Sequence, residues 1–201
     1  MAINLTKGQR ISLTKEDASL SRIMVGLGWD PVQSNSGGGL LKSLFNSQPD
    51  IDCDASVFML NANDKLENNK HVVYFGNLKS ADGSISHMGD NLTGDGDGDD
   101  EQIMVNLSMV PQNMQKLVFV VNIYDCIKRR QHFGLIQNAF IRIVNLDNNK
   151  ELIRFNLTDQ YSNMTALTVG ELYRHGSEWK FMAVGQGSKD TSLGDMARRY
   201  K

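Results

Sequence analysis

The stretch AFIRIVNLDNNKELIRFNL, residues 139–157, decides the fold. Apolar and polar residues alternate on both sides of Asp147, Asn148 and Asn149, and alternation with a period of two is typical of half-buried β-strands. Asn tolerates a positive φ, so the central residues suit a tight turn. The stretch therefore predicts two antiparallel strands joined in a hairpin.

The same alternation recurs along the whole chain, and YRHGSEW, with Gly176, predicts a second hairpin. Amphipathic helices are not indicated between the strands, so the fold class is all-β, a two-sheet antiparallel β-sandwich with its loops gathered at the two ends. Short helical segments are predicted in TKEDASLSRI and in SLGDMARRYK, the latter capped by Ser192 or Asp195. Ten strands are predicted: Ile11–Leu13, Arg22–Trp29, Ala55–Asn61, His71–Asn77, Gln102–Leu107, Leu117–Tyr124, Ala139–Asn145, Glu151–Leu157, Thr165–His175 and Trp179–Gly185.

Length and composition favour a single domain, since the chain has 201 residues, of which 40% are hydrophobic and 22% charged. We predict the sandwich over residues 1–190 and a tail or short helix over 191–201. The segment 31–50, PVQSNSGGGLLKSLFNSQPD, is rich in Gly, Ser and Asn. It predicts a flexible insertion.

The distribution of charge is uneven. Six of the 23 acidic residues lie in 89–101, so the remaining 17 stand against 21 Lys and Arg and leave the rest of the chain at about +4. This pattern gives no direct nucleic-acid signal. Two distant cysteines, the lack of a secretion signal and the lack of an apolar run of about 18 residues predict a cytoplasmic protein without a transmembrane segment.

The segment GDNLTGDGDGDDE, residues 89–101, places six carboxylates among four glycines. Two carboxylates about 4 Å apart repel by roughly 4 kcal/mol at an effective dielectric constant of about 20, so ordering the loop favours a bound cation. Calcium accepts six to eight oxygen ligands with flexible geometry, whereas magnesium retains its water. The segment predicts calcium; the alternative is a solvated loop that binds nothing.

Ligands from outside the loop are needed, because the loop lacks the glycine and the closing glutamate that an EF-hand requires. Asp52 and Asp54 stand two residues apart at the start of a predicted strand and can point to the same side. Asp30, Asp50 and Asp125 also end apolar runs. If these strand ends meet at one end of the sandwich, the oxygens suffice for two ions.

These segments resemble the bacterial tellurium-resistance and stress family called TerD. The resemblance is carried by IMVGLGWD, DCDAS, GNLKSADGSISHMGDNLTGDGDGDDE, FVVNIYD, FGLIQNAFIRIVN and GELYRHGSEWKFMAVGQG, and it extends from the N-terminus to about Gly187. It implies a cytoplasmic, non-enzymatic β-sandwich that binds two calcium ions at one end. It also implies tellurite resistance, phage inhibition and colicin tolerance, with partners among the other tellurium-resistance proteins and a membrane-associated complex.

The resemblance also implies a set of metal ligands. They are Asp52, Asp54, Asp90, Asn91, Gly94, Gly98, Asp99, Asp100 and Glu101, with Asp95 and Asp97 at looser positions of the motif.

The sequence departs from the family pattern at 31–50, which is longer than the usual link, and at Cys53 and Cys126. The two cysteines are predicted to be small buried core residues; the alternative is a role in thiol redox chemistry or tellurite sensing. His87 is predicted to lie at the surface, and Arg129 and Arg130 on a solvated hairpin face.

Two functions from different classes remain. The first is a calcium-dependent protein-interaction module, in which bound ions order one end of the sandwich as a docking surface. The alternative is a metal-dependent hydrolase, which would need an open coordination position for water and a nearby base. The sequence favours the interaction module, because neither His nor Lys accompanies the clustered oxygens.

Overall fold

Two six-stranded sheets pack face to face in the computed structural model, which describes residues 2–32, 51–89, 98–157, 159 and 161–201. This arrangement confirms the predicted two-sheet sandwich. The strands are β1 (Ile3–Leu5), β2 (Arg10–Ser12), β3 (Arg22–Pro31), β4 (Cys53–Asn61), β5 (Val72–Val73), β6 (Ile85–His87), β7 (Glu101–Asn106), β8 (Met114–Ile123), β9 (Ile136–Asn145), β10 (Lys150–Asn156), β11 (Ala166–His175) and β12 (Glu178–Ser188).

The first sheet has the order β1-β10-β9-β3-β7-β6, and the second has the order β2-β12-β11-β8-β4-β5. Both predicted hairpins are present, since β9 pairs antiparallel with β10 and β11 pairs antiparallel with β12. Asn149 and Gly176 have positive φ values of 56° and 64° in the two turns. β1 departs from the antiparallel rule and pairs parallel with β10.

The main core lies between the two sheets and is built from every second residue of each strand. Val25 and Leu27 of β3 meet Val57 and Met59 of β4 in this layer. A second, smaller core lies on the outer face of the second sheet, where Met196 and its neighbours cover side chains such as Phe58. Since β4 is thus covered on both faces, nearly all of its residues are buried.

Short helices complete the fold: α1 (Leu13–Glu16), α2 (Cys126–Arg129) and α3 (Leu193–Ala197). α1 and α3 lie where helical segments were predicted. The Ser192 side chain accepts a hydrogen bond from the backbone N–H of Asp195 at 3.1 Å, as an N-cap should. One-turn 3-10 helices occur at Asn69–His71, Phe133–Leu135 and Arg198–Tyr200.

The structure differs from the sequence-based expectation in a few places. β1 and β6 were not predicted, because a period of two is only a weak signal over three residues. The strand predicted over His71–Asn77 consists of only two strand residues and an isolated bridge between Tyr74 and Asn77. The hairpin face predicted for Arg129 and Arg130 is wrong, because Arg129 ends α2 and Arg130 caps it. Residues 33–50, which make up most of the predicted insertion, lie outside the described residues.

The strand directions define two ends of the sandwich. We call the end at which β3 and β8 finish and β4 and β7 begin the acidic pole. The connection between β7 and β8 and the turn of the β9–β10 hairpin lie at the opposite pole. Asp52, Asp54, Asp100 and Glu101 lie at the acidic pole, and their role as metal ligands stays a prediction.

Candidate metal centre

Four buried carboxylates lie at the acidic pole, where β4 and β7 begin. They belong to Asp52, Asp54, Asp100 and Glu101, and these residues are between 2% and 9% exposed. Burial raises the pKa of the Cys53 thiol well above its ordinary value, and the negative charges of Asp54, Glu101, Asp52 and Asp100 raise it further. Negative charge is therefore concentrated where β4 begins.

Glu101 lies inside the sandwich and joins the two sheets. Its Oε2 accepts a hydrogen bond from the Ala55 N–H of β4 at 2.6 Å. The His87 Nε2 lies 3.4 Å from the same oxygen and 3.1 Å from the Ala55 carbonyl oxygen. The expectation of a surface histidine is wrong, and so is the expectation that no histidine accompanies the carboxylates.

Asp100 ties the start of β7 to the end of β3. Its N–H donates to the Leu27 carbonyl oxygen at 2.8 Å, and its Oδ2 accepts a hydrogen bond from the Trp29 N–H at 2.7 Å. Just beyond, the pairing of β3 with β9 shifts register between Gly28 and Asp30. The carboxylate of Asp100 is therefore held by the backbone of a neighbouring strand.

Asp52 connects the start of β4 to α2. The Asp52 carbonyl oxygen accepts a hydrogen bond from the Tyr124 N–H at 2.8 Å. Its Oδ2 lies 3.4 Å from Nη1 of Arg129, whose guanidinium also covers the Tyr124 ring at 5.3 Å. Arg129 is thus part of the acidic pole.

Asp54 is in register with Asn122 of β8 and lines a cleft of about 380 Å³ on the outer face of the second sheet. Ser56, Asn122 and Asp125 share this lining, and the 191–194 segment also lines it. Oδ1 of Asn122 and Oγ of Ser56 are buried without a hydrogen-bond partner among the described residues. Such oxygens are candidate donors to a cation, because buried polar atoms are normally satisfied.

Asp99 lies apart from this group, on the outer face of the first sheet. Its fully buried carboxylate accepts two hydrogen bonds from Arg142, from Nε at 2.7 Å and from Nη2 at 2.8 Å. Arg142 also contacts Oε2 of Glu151 at 3.1 Å. These hydrogen bonds raise the pKa of the Arg142 guanidinium above its ordinary value. Asp99 is therefore anchored in the first sheet by an ion pair.

The other predicted ligands are scattered or undescribed. Asp30 accepts a hydrogen bond from Nδ2 of Asn138 at 2.8 Å. Gly98, with a φ of 140°, lies over Gly28, where an added Cβ would come within 2.7 Å of the Gly98 carbonyl oxygen. Asp50, Asp90, Asn91, Gly94, Asp95 and Asp97 lie outside the described residues.

Gly26 and Gly28 in GLGWD have no side chains, so residues 98 and 99 pack directly against the backbone of β3. A Cβ at Gly26 would overlap the carboxyl group of Asp99, which Arg142 holds in place. We expect Gly26→Ala to lower the free energy of unfolding in urea by about 2 kcal/mol or more. Gly194→Ala is the matched control, because its Cβ would meet nothing nearer than Ser192 Oγ at 3.7 Å. Equal stability of both variants would contradict this close packing.

Several residues of the acidic pole were not predicted from the sequence. His87 and Ile85 alternate with Ser86, so the period of two was present but too short to be recognised. Asn122 lies within the apolar run LVFVVNIY, and a single amide in such a run could have marked a site. Arg142 carried no signal, because its partner Asp99 is distant in sequence.

Within the described residues, no three His, Cys, Asp or Glu side chains are arranged closely enough to hold a metal ion by themselves. A complete coordination shell would need other oxygens, such as backbone carbonyls, Asn122 or residues of 90–97. Cys53 and Cys126 are both free thiols in the core, which confirms their predicted burial. Burial raises the pKa of each thiol, so neither has the thiolate character of a reactive cysteine.

The comparison with known proteins covers almost the whole chain. The TerD domain model matches residues 1–200. Stress response protein SCP2 of Bacillus subtilis (strain 168) is 60% identical over 100% of both chains. General stress protein 16U of the same organism and tellurium resistance protein TerD of Serratia marcescens are each 46% identical, over 93% of this chain and 91% of theirs.

A solved structure supports the fold. The crystal structure of a homologue of the telluride resistance protein (TerD) from Streptomyces coelicolor A3(2) superposes with a TM-score of 0.66 and 21% identity, covering 91% of this chain and 99% of that one. In the part of the chain that the structure describes, no helix has the length and apolar character needed to span a membrane.

Proposed function

The chain belongs to the TerD domain family, whose relatives carry the names of tellurium-resistance and stress-response proteins, and from this premise we propose that it is a calcium-binding interaction module of stress defence. Bound calcium would order the acidic pole and present it to partners. We place the protein in the cytoplasm, with partners among the other tellurium-resistance proteins and in a membrane-associated complex.

The burial of Asp52, Asp54, Asp100 and Glu101 where β4 and β7 begin carries this proposal. Carboxylates buried near one another repel more strongly than they would in water. Nη1 of Arg129 lies 3.4 Å from Oδ2 of Asp52, which offsets part of this charge. A divalent cation would offset more, and the adjoining sequence supplies still more carboxylates.

The chemistry of the donors favours calcium. Carboxylates, the Asn122 amide oxygen, the Ser56 hydroxyl and backbone carbonyls form an oxygen set, and calcium accepts such a set in irregular geometry. The group also divides naturally in two. Asp54 faces the outer cleft with Asn122, whereas Glu101 lies on the inner side of β4. This division supports two ions rather than one.

Calorimetric titration tests the proposal. We expect two calcium ions to bind to the full chain, with a much smaller response to magnesium. We expect Asp54→Asn to weaken calcium binding by about tenfold, or about 1.4 kcal/mol, because one anionic donor is lost. Asp147→Asn is the matched control, since Asp147 pairs with Arg22 at the opposite pole. If millimolar calcium produces no heat, the proposal is refuted. If Asp54→Asn binds calcium as tightly as the parent, the site lies elsewhere.

The hydrolase alternative finds little support. It needs a base that a substrate can reach, and His87, the histidine beside these carboxylates, has a fully buried side chain. The names of the relatives are also those of resistance and stress proteins rather than of enzymes. We therefore propose a binding role and no catalytic one.

A further inference from the structure

The connection between β8 and β9 exposes apolar and basic side chains side by side at the acidic pole. We call residues 124–130, Tyr-Asp-Cys-Ile-Lys-Arg-Arg, the basic turn. Ile127 is 68% exposed and Tyr124 is 48% exposed. Lys128 has 85% of its side chain in solvent.

The basic turn holds these side chains outward by a defined backbone. Asp125 and Arg130 both adopt the left-handed conformation, with φ values of 49° and 53°, on either side of α2. Cys126 is buried beneath the turn, and its carbonyl oxygen accepts a hydrogen bond from the Gln131 N–H at 2.9 Å. Left-handed non-glycine residues persist only where the surroundings enforce them, and they are enriched at functional sites.

The charge of the basic turn is positive on its exposed side. The basic turn contains one acidic residue, Asp125, and three basic residues, Lys128, Arg129 and Arg130. Arg129 is directed inward to Asp52, while Lys128 makes only an exposed contact with Asp125 at 3.8 Å. Lys128 and Arg130 are therefore exposed beside Ile127 and Tyr124.

We propose that the basic turn docks on an anionic phospholipid surface. Ile127 and Tyr124 enter the headgroup layer, while Lys128 and Arg130 bind lipid phosphates. Apolar and aromatic side chains flanked by Lys and Arg are the composition that such interfaces favour.

The basic turn lies at the same pole as the proposed calcium sites, so calcium should affect docking. The buried carboxylates of Asp52 and Asp54 lie at the same pole and would repel an anionic surface. Bound calcium removes this repulsion, so binding to vesicles should be stronger in calcium than in chelator. Only this calcium dependence rests on the proposed function; the docking surface itself rests on the basic turn.

Vesicle co-sedimentation of the full chain tests the inference. The vesicles are phosphatidylcholine alone or phosphatidylcholine with one quarter phosphatidylglycerol, each in calcium and in chelator. We expect binding to the anionic vesicles in calcium, at least about tenfold weaker binding to phosphatidylcholine alone, and weakening by high salt. Ile127→Ser and the double variant Lys128→Glu with Arg130→Glu should each weaken binding about tenfold.

Matched controls lie at the opposite pole. Met109 is 49% exposed in the connection between β7 and β8, and Lys150 is exposed beside the β9–β10 turn. Met109→Ser and Lys150→Glu should bind vesicles like the parent, and unchanged melting of all variants shows that they are folded. Absence of binding to anionic vesicles in calcium overturns the inference, as does equal loss in the control variants.

Calorimetry without vesicles separates this inference from the proposed function. Calcium heat without any vesicle binding rejects the lipid surface and leaves the calcium module standing. Vesicle binding that depends on Ile127 and Lys128, without any calcium heat, supports the lipid surface and rejects the calcium module.

Discussion

In millimolar calcium, the protein is expected to melt at least about 10 °C higher than in chelator. A site filled at 100 times its dissociation constant stabilises the folded chain by about 2.7 kcal/mol, so two sites give about 5 kcal/mol. For a domain of this size, each kcal/mol shifts the melting temperature by roughly 2–4 °C. The physical source is relief of the repulsion among Asp52, Asp54, Asp100 and Glu101, which folding buries at one pole.

Circular dichroism during heating measures this effect. At room temperature the β-sheet signal should be retained in chelator, because the core between the sheets is stabilised by burial. Magnesium at the same concentration serves as the control for ionic strength and charge, and it should give a much smaller shift. Superimposable melting curves in calcium and in chelator would contradict a cation-binding role for these carboxylates.

Replacement of Glu101 by Ala is expected to lower the free energy of unfolding by about 1–3 kcal/mol when measured by denaturant in chelator. A buried hydrogen-bond donor left without its acceptor costs about this much, and relief of the repulsion from the neighbouring carboxylates offsets part of the cost. Here the Ala55 N–H loses its acceptor, and His87 loses the carboxylate 3.4 Å from its Nε2. The contact that joins the two sheets at the acidic pole is then lost.

Two further variants serve as controls for this result. Glu101→Gln keeps an acceptor for the Ala55 N–H and should be less damaging than Glu101→Ala. Asp147→Ala removes an exposed carboxylate that pairs with Arg22, and it should cost less than about 1 kcal/mol. A loss in Glu101→Ala no greater than in Asp147→Ala would show that the contact between the sheets contributes little.

Most of the fold was accessible to sequence reasoning because the strands are long and alternate. The hairpin of residues 139–157 needs only its own period and its turn residues to be recognised. β1 and β6 have three residues each, so a period of two is only a weak signal there, although the equally short β2 was predicted one residue later in the chain. The parallel pairing of β1 with β10 depends on residues that are far apart in sequence, so no local pattern predicts it.

The site was predictable in its location but not in its internal arrangement. Asp52, Asp54, Asp100 and Glu101 lie at one pole, as the sequence led us to expect, and their role as metal ligands stays a prediction. The separation of Asp99 from Asp100 and Glu101 was not visible, because it depends on the ion pair with Arg142 across the first sheet. Similarly, Arg129 becomes part of the pole only through the backbone conformation of α2.

The N-terminal strands have a consequence for how the chain folds. β1 completes the edge of the first sheet beside β10, and β2 completes the edge of the second sheet beside β12. β10 and β12 lie far after β1 and β2 in the chain, so β1 and β2 cannot pair until most of the domain has been synthesised. Such long-range pairing is slow to form. Until it forms, β10 and β12 expose open edges to other molecules. The segment 3–12 therefore covers the open edges on one side of the sandwich late in folding. We expect chaperone dependence and aggregation during synthesis to depend on the sequence of this segment.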